Sequence, residues 1–283
     1  MNYLESLNDV QKEAVLHIDG PLLILAGAGA GKTKTLTHRI AHLIHSGVFP
    51  EKILAVTFTN KAAAEMKERV QSILSDRKYD AIPHVSTFHS LGVYILKKLA
   101  GQHGLPKSFS ILDDGQTTTI LKDAMKESGL DPKEFDPRRI KNIISREKNL
   151  VRTHEDLRNN AGNPLEEMVV DVWERYERKK KEENAYDFDD LLSLPVALME
   201  GNPEIREMFQ NKWDYVHIDE YQDTNEAQYR LATILSSRTR NICVVGDIDQ
   251  TIYTWRGANI KNILSFESDY SDAKTVILEE NYR

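Results

Sequence analysis

Cysteine is almost absent from this chain. Cys243 is the single one in 283 residues, so no internal disulfide can form and a disulfide-stapled secreted scaffold is excluded. A lone thiol fits a reducing compartment, and the expected location is cytoplasmic. Long apolar runs are also missing. The longest stretch of apolar residues and glycine, Leu22 to Gly31, falls well short of the roughly 18–20 residues of a spanning helix, so no membrane partner is expected. The opening residues Met1-Asn2-Tyr3-Leu4-Glu5 lack the basic-then-apolar order of a signal peptide. Basic charge is scarce too: 37 lysines and arginines face 44 aspartates and glutamates, for a net charge of −7. That sum argues against nucleic acid, but the distribution matters more than the total. Between Lys133 and Arg152 seven basic residues stand against three acidic ones. This stretch leaves a nucleic-acid contact and a solvated helix face both open. The run Arg178-Lys179-Lys180-Lys181, followed at once by Glu182-Glu183, reads as a solvated face.

What is present is an ordinary globular balance, 40% apolar and 29% charged, in a length that suits one large domain or two smaller ones. In the first hundred residues two kinds of segment alternate. Leu22–Leu25 and Ile53–Val56 read as short buried strands. Leu36, Ile40, Leu43 and Ile44 fall on one helical face that stops near Gly47, and Met66, Val70, Ile73 and Leu74 on another. Strand–helix alternation of this kind predicts a parallel sheet with covering helices. The strand pattern resumes at Tyr215–Ile218, Ile242–Val245 and Val276–Leu278. In between it vanishes. Ile120, Leu121, Ala124 and Met125, then Ile140, Ile143 and Ile144, then Val169, Val170, Val172, Trp173 and Tyr176 form helical stripes, with the loop Asn159–Pro164 among them. The expected organisation is an α/β domain built from residues 1–106 and 186–283, interrupted by an all-helical subdomain at 107–185.

The first strand and the first long helix enclose Ala26-Gly27-Ala28-Gly29-Ala30-Gly31-Lys32-Thr33. This is the setting of a phosphate-binding P-loop. Small residues let the backbone wrap phosphates, the helix N-terminus adds partial positive charge, Lys32 reaches the β/γ oxygens and Thr33 holds Mg²⁺. The usual first glycine of that motif is replaced by Ala26. Asp219-Glu220 follows a predicted buried strand, at the carboxyl end where α/β sheets bind ligands. Asp219 is expected to reach the metal and Glu220 to deprotonate an attacking water. Gln250 follows the next strand as a candidate γ-phosphate sensor, and Arg283 follows the last as a transition-state cation. Sequence-independent binding of single strands needs aromatic faces interleaved with polar groups. Phe58 with Asn60, Thr87-Phe88-His89, and Tyr253, Trp255 and Arg256 have that character. Core packing is the competing reading for Phe58, Phe88 and Trp255. Phe188, inside the acidic Asp187-Phe188-Asp189-Asp190, is expected to mix packing and binding.

The ordered set LNDVQKEAV, AGAGAGKT, FTNKAAAEM, STFHSLG, DFDDLL, IDEYQDTN, VVGDIDQTIYTWRGA and LEENYR resembles the UvrD/Rep/PcrA family of superfamily-one DNA helicases, from Leu7 to Arg283. The resemblance implies a RecA-like ATP-binding domain (1A), with helices on both faces of its parallel sheet and an inserted helical subdomain (1B). It implies that Gln11 reads adenine and Tyr282 stacks on it. The loop residues Ala28 to Gly31, with Lys32, Thr33 and Lys34, then hold the nucleotide. By the same resemblance Arg283 is an arginine finger. The implied cofactors are ATP and Mg²⁺. The implied partners are single-stranded DNA and single-strand/duplex junctions, with movement 3′ to 5′, and repair or replication proteins. The family's second RecA-like domain is expected to be missing, which makes the chain the N-terminal half of a helicase, weakly active or inactive alone.

Three other readings remain in view. A GTPase-type switch calls for Asn-Lys-x-Asp after a strand, and Asn60-Lys61-Ala62-Ala63 lacks the aspartate. A non-catalytic DNA-binding module would have lost loop or carboxylate residues, yet Lys32, Thr33, Asp219 and Glu220 are all present. A subunit of a helicase–nuclease is the third.

Overall fold

In the computed structural model, which describes residues 3–75, 82–247 and 261–282, the predicted apolar runs become strands of one sheet. The strands are β1 (Leu22–Ala26), β2 (Ile53–Thr57), β3 (His84–Thr87), β4 (Ser110–Ile111), β5 (Ala185–Tyr186), β6 (Tyr215–Ile218), β7 (Ile242–Gly246) and β8 (Lys274–Leu278). The longer helices are α1 (Asp9–Leu16), α2 (Lys32–His45), α3 (Asn60–Ile73), α4 (Phe88–Lys98), α5 (Asp114–Glu127), α6 (Pro137–Asn149), α7 (His154–Asn160), α8 (Pro164–Glu182), α9 (Asp190–Gly201), α10 (Pro203–Gln210) and α11 (Glu226–Ser236). By internal packing the chain separates into two compact units, Met1–Leu91 with Met199–Arg283, and Gly92–Leu198. No helix among the described residues is long and apolar enough to cross a membrane.

The first unit holds a six-stranded sheet in the order β3-β2-β6-β7-β1-β8, with every pairing parallel. A parallel sheet covered on both faces demands strands that are apolar throughout. Leu-Leu-Ile-Leu-Ala, Ile-Leu-Ala-Val-Thr and Ile-Cys-Val-Val-Gly meet that demand, and β2 and β7 are buried along their whole length. The stripe Leu36, Ile40, Leu43 and Ile44 of α2 packs onto Leu22, Ile24, Ile53 and Val245, and Met66 and Val70 of α3 join the same core. Cys243 lies in that core as well, where burial pushes its thiol up to about 11. Thr59 caps α3 by accepting from the Ala62 amide at 3.1 Å. Parallel strands bring all their carboxyl ends to one edge, so Ala26, Thr57, Thr87, Ile218, Gly246 and Leu278 share a rim.

The second unit is helical around Ile120, Leu121, Ala124, Met125, Ile140, Ile144, Val169, Val172, Trp173 and Tyr176, the residues of the predicted stripes. Its helices begin where side chains satisfy the free amides. Asp113 with Gln116 and Thr153 with Asp156 form reciprocal caps, and Asn163 accepts from the Glu166 amide. A two-residue parallel pair, Ser110–Ile111 with Ala185–Tyr186, adds a little sheet that periodicity does not reveal. One sequence expectation is corrected here. Lys180 does not face solvent with its neighbours; it is 2% exposed, and Lys148 from the basic stretch is 4% exposed. Lys148 meets carboxylates 39 and 42 residues further on, and Lys180 meets those of the turn that follows its own helix, which a reading of the charge run alone cannot see.

Gly92 in α4 marks a close approach. A Cβ there would sit 1.7 Å from the Leu191 carbonyl oxygen, which no rotamer can relieve. Glycine to alanine in an exposed helix gains about 1 kcal/mol from propensity. Gly92→Ala is instead expected to destabilise the chain by about 1–3 kcal/mol, read from denaturant midpoints. A gain in stability would show that α4 and α9 move apart freely.

Candidate functional site

The site starts with a turn that only glycine adopts easily. After β1 the chain passes through Gly29 at φ 80° and Gly31 at φ 85°, and Gly31 is the residue before the first turn of α2. Left-handed residues beside a helix N-terminus are the backbone setting of an anion-binding nest; within the loop the Ala30 amide donates to the Gly27 carbonyl at 3.2 Å. Gln11 fixes the loop from behind. It is buried, its Nε2 donates to the Ala30 carbonyl at 3.2 Å, and a Cβ on Gly31 would lie 2.7 Å from that nitrogen. Its Oε1 accepts from the Asn8 amide while the Asn8 side chain accepts from the Gln11 amide, a reciprocal cap on α1. Tyr282 arrives from the far end of the sequence. Its amide donates to the Gly29 carbonyl at 3.1 Å, and its hydroxyl takes a hydrogen bond from Asn8 and gives one to Glu280. The ring is exposed. Lys34 reaches back to the Ser6 carbonyl.

Opposite the loop stand the carboxylates. Asp219, at the end of β6, is 3% exposed, with its amide donating to the Val56 carbonyl. Burial first, and the charge of Glu220 second, push its carboxyl up to about 7 from an ordinary 3.8, while the Glu220 amide, the Lys32 charge and the Thr33 hydroxyl oppose the shift. Glu220 has left-handed backbone at φ 52°, uncommon for a side chain of this size and an observation that fits a functional position. Lys32 Nζ lies 3.5 Å from Asp247 and 3.9 Å from Glu220, close enough for ion pairs and too far for good hydrogen bonds. Gln222 spans the two acids: its Nε2 donates to Glu220 at 2.9 Å and its Oε1 accepts from the Asp247 amide at 3.0 Å. Sequence reasoning missed Gln222 and Asp247 as site residues. The available signal was their place, just after the carboxyl ends of β6 and β7.

At the ends of β2 and β3, paired in register Thr57↔Thr87, the candidate DNA residues separate by exposure. Phe58 is half-buried, with its ring edge-on to Phe88 at 5.9 Å between centroids. Phe88 is 2% exposed, so it backs Phe58. Thr87 is buried, and its hydroxyl caps α4 by accepting from the Ser90 amide. Asn60 is exposed and His89 half-buried. Phe188, in the helical unit, is 53% exposed. Gln250, Tyr253, Trp255, Arg256 and Arg283 lie outside the described residues.

Residues 7–271 match the profile of a family described as UvrD/REP helicase N-terminal domain. This chain belongs to that family. It is 50% identical over 289 residues to ATP-dependent DNA helicase PcrA of Bacillus subtilis (strain 168), covering 100% of this chain and 39% of that protein. The same-named proteins of Staphylococcus aureus (strain Mu50) and Staphylococcus epidermidis are each 48% identical, over 99% and 100% of this chain and 38% and 39% of their own lengths. The chain thus spans about two fifths of the length of these relatives.

In this UvrD/REP-family chain the Asp219 shift has a stability consequence. The folded value of about 7 lies above the ordinary 3.8. Between the two the folded state holds the extra proton, so stability falls as pH rises through this window. The cost of ionising Asp219 is complete above pH 7 and gone toward pH 4. Asp219→Asn is expected to stabilise the nucleotide- and metal-free chain at pH 8, by up to about 4 kcal/mol, with little change at pH 4. Urea unfolding at both pH values measures this. A variant less stable than the parent at pH 8 would mean that the fold itself compensates the carboxylate.

Proposed function

We propose that this chain is the ATP-binding part of an ATP-dependent DNA helicase that moves 3′ to 5′ on single-stranded DNA in repair or replication, with the cytoplasm as its setting. The observation that carries this reading is the convergence of Lys32, Asp219, Glu220 and Asp247 beside a glycine-rich loop, in a member of the UvrD/REP family. We assign the RecA-like role to the sheet-containing unit and the inserted-subdomain role to the helical unit.

In this reading Gln11 and Tyr282 hold the adenine, and the amides of Ala28 to Gly31 with Lys32 hold the phosphates. Lys34 is proposed beside them. The Thr33 hydroxyl and the Asp219 carboxylate fit Mg²⁺: both are hard oxygen donors, and burial with the Glu220 charge raises the Asp219 carboxyl despite the facing Lys32. Mg²⁺, when bound, neutralises charge on the β- and γ-phosphoryl oxygens. Glu220 takes the proton of the attacking water, Gln250 senses the γ-phosphate and Arg283 offers a transition-state cation. Phe58, Phe188, Tyr253 and Trp255 are proposed to stack on bases, with Asn60, Thr87, His89 and Arg256 on the backbone and Phe88 behind Phe58. Single-strand/duplex junctions and repair or replication proteins complete the proposed partners.

Two substitutions separate the roles of the nucleotide site. Lys32→Ala removes a charge-assisted contact and is expected to weaken Mg·ATP binding by about ten- to hundredfold. Glu220→Gln keeps the shape and the metal carboxylate, so affinity is expected to persist while hydrolysis falls by roughly 10²–10⁴. Titration with a fluorescent ATP analogue reads the first effect, and a phosphate-release assay in a form carrying the second RecA-like domain reads the second. Unchanged affinity in Lys32→Ala would remove the loop from nucleotide binding, and unchanged hydrolysis in Glu220→Gln would remove the base.

For DNA, Phe58→Ala is expected to cost about 1–3 kcal/mol of oligonucleotide affinity, with little change in base preference. Fluorescence anisotropy at two salt concentrations checks this. Equal affinity with an intact fold would return Phe58 to packing against Phe88.

A further inference from the structure

Two lysines, three carboxylates and a tyrosine meet inside the helical unit. Lys148 of α6 places Nζ 2.7 Å from Glu177, 2.8 Å from Asp187 and 2.7 Å from Asp190. Lys180 of α8 places its own 2.9 Å from Glu177 and 3.0 Å from Asp187, with a further contact to Asp190. The Tyr176 hydroxyl donates to Asp187 at 2.8 Å. Among the described residues Glu177, Asp187 and Asp190 are the carboxylates grouped closely enough to suggest a metal site. The two ammonium nitrogens already bind these oxygens, so the cluster is complete without an ion. Burial opposes the charge of Lys148, but the facing Asp187, Asp190 and Glu177 carboxylates outweigh it and hold the ammonium well above its usual range.

A cluster of this kind is a poor device for stability alone, because well-packed apolar residues often serve as well or better. What it does fix is a turn. The Asp187 amide donates to the Asp190 carboxylate and the Asp190 amide donates to Asp187, both at 2.9 Å. Asn149 of α6 adds a hydrogen bond to Asp189. Three of the four residues from Asp187 to Asp190 are therefore tied down by their side chains. The fourth, Phe188, lies between the buried Asp187 and the half-buried Asp189 and is 53% exposed.

We infer that Lys148 and Lys180 are positioning residues for Phe188, locking the Asp187–Asp190 turn so that the aromatic ring is presented to single-stranded DNA in a fixed orientation. This inference rests on the reading of Phe188 as a base-stacking residue. An aromatic platform held in place loses less freedom on binding than one on a loose loop. The lysines act through the turn and need not touch DNA.

A double-mutant cycle tests this in the whole chain, with oligonucleotide anisotropy, ATP-analogue titration and denaturant unfolding as readouts. Lys148→Met is expected to weaken binding of an oligothymidylate probe by roughly three- to tenfold, with ATP-analogue affinity unchanged. In a Phe188→Ala background the same substitution is expected to add less than about twofold, because the ring it positions is gone. An equal loss in both backgrounds would overturn the inference, since a general structural role does not need Phe188. Phe188→Ala weakening DNA while Lys148→Met leaves it unchanged would overturn it too. No effect of Phe188→Ala would instead defeat the stacking reading, and the inference with it. Should Lys148→Met not fold, Tyr176→Phe removes one hydrogen bond to Asp187 at nearly constant shape. It is expected to give a smaller loss that also disappears in the Phe188→Ala background, and a loss that persists there would overturn the inference.

Discussion

A buried carboxylate beside a second carboxylate is the constraint around which the sheet-containing unit is organised. Asp219 lies at the end of β6 with little solvent to stabilise its charge, and Glu220 repels it from the next position. An isolated acid in that place would simply hold its proton, and a pKa near 7 is part of the way there. The parallel order of the strands puts the compensating Lys32 and Thr33, and a further acid that Lys32 also faces, across the rim. β1, two strands from β6, ends at the loop that leads to Lys32 and Thr33, and β7 between them carries Asp247 just beyond its end. The strain on Asp219 is a property of the topology as much as of the residue. Perturbed carboxylates of this kind cluster at functional positions, where burial and a neighbouring like charge tune a group for its chemistry.

Gln222 makes this rim cooperative. One amide bonds the Glu220 carboxylate through nitrogen and the Asp247 backbone through oxygen, linking the ends of β6 and β7. Gly246 is required for the link: a Cβ there would lie 2.8 Å from the Gln222 oxygen and 2.5 Å from Ile263. The glycine therefore serves close packing, in contrast to Gly29 and Gly31, whose positive φ values serve backbone direction. A group that alters the charge at Glu220 reaches β7 through a single side chain, and the segment after β7 contains Gln250, Tyr253 and Trp255.

Strands β1, β2, β6 and β7 were legible in the sequence because a strand buried on both faces is written as a continuous apolar run; the edge strand β8, with Ile277 54% exposed, was legible from its apolar Val276-Ile277-Leu278 alone. The stripes of α2, α3, α5, α6 and α8 were legible for the matching reason, one face per helix. β3, with His-Val-Ser-Thr at the sheet edge, carries a weaker pattern, and β4 and β5 are too short to carry any. Of the site, the glycine loop and Asp219-Glu220 could be read from local chemistry. Gln11 and Tyr282 could not, since Gln11 meets the loop from a preceding helix and Tyr282 from the far end of the chain; only the family resemblance pointed to them. Phe88 shows the same limit from the other side. Its motif left base stacking and core packing both open, and its burial beside Phe58 gives it to packing. Lys180 was misread because a charge run reveals its own helix and not the carboxylates that descend on it from residues 187–190.

The chain holds two lysine–carboxylate networks, and their geometry distinguishes what they are for. Around Lys148 and Lys180 most ammonium–oxygen distances run from 2.7 to 3.0 Å, both lysines are almost fully buried, and each ammonium meets three carboxylates. Hydrogen-bonding capacity is spent, so any exchange of partners would expose a bare charge to a low dielectric at high cost. Around Lys32 the distances are 3.5 and 3.9 Å, and Glu220 is more than one-third exposed. That ammonium keeps donors in hand and can change partners at little cost. A binding lysine has to be satisfied enough to stay in place and loose enough to be taken over by an incoming anion. Lys32 meets both conditions, and Lys148 meets only the first.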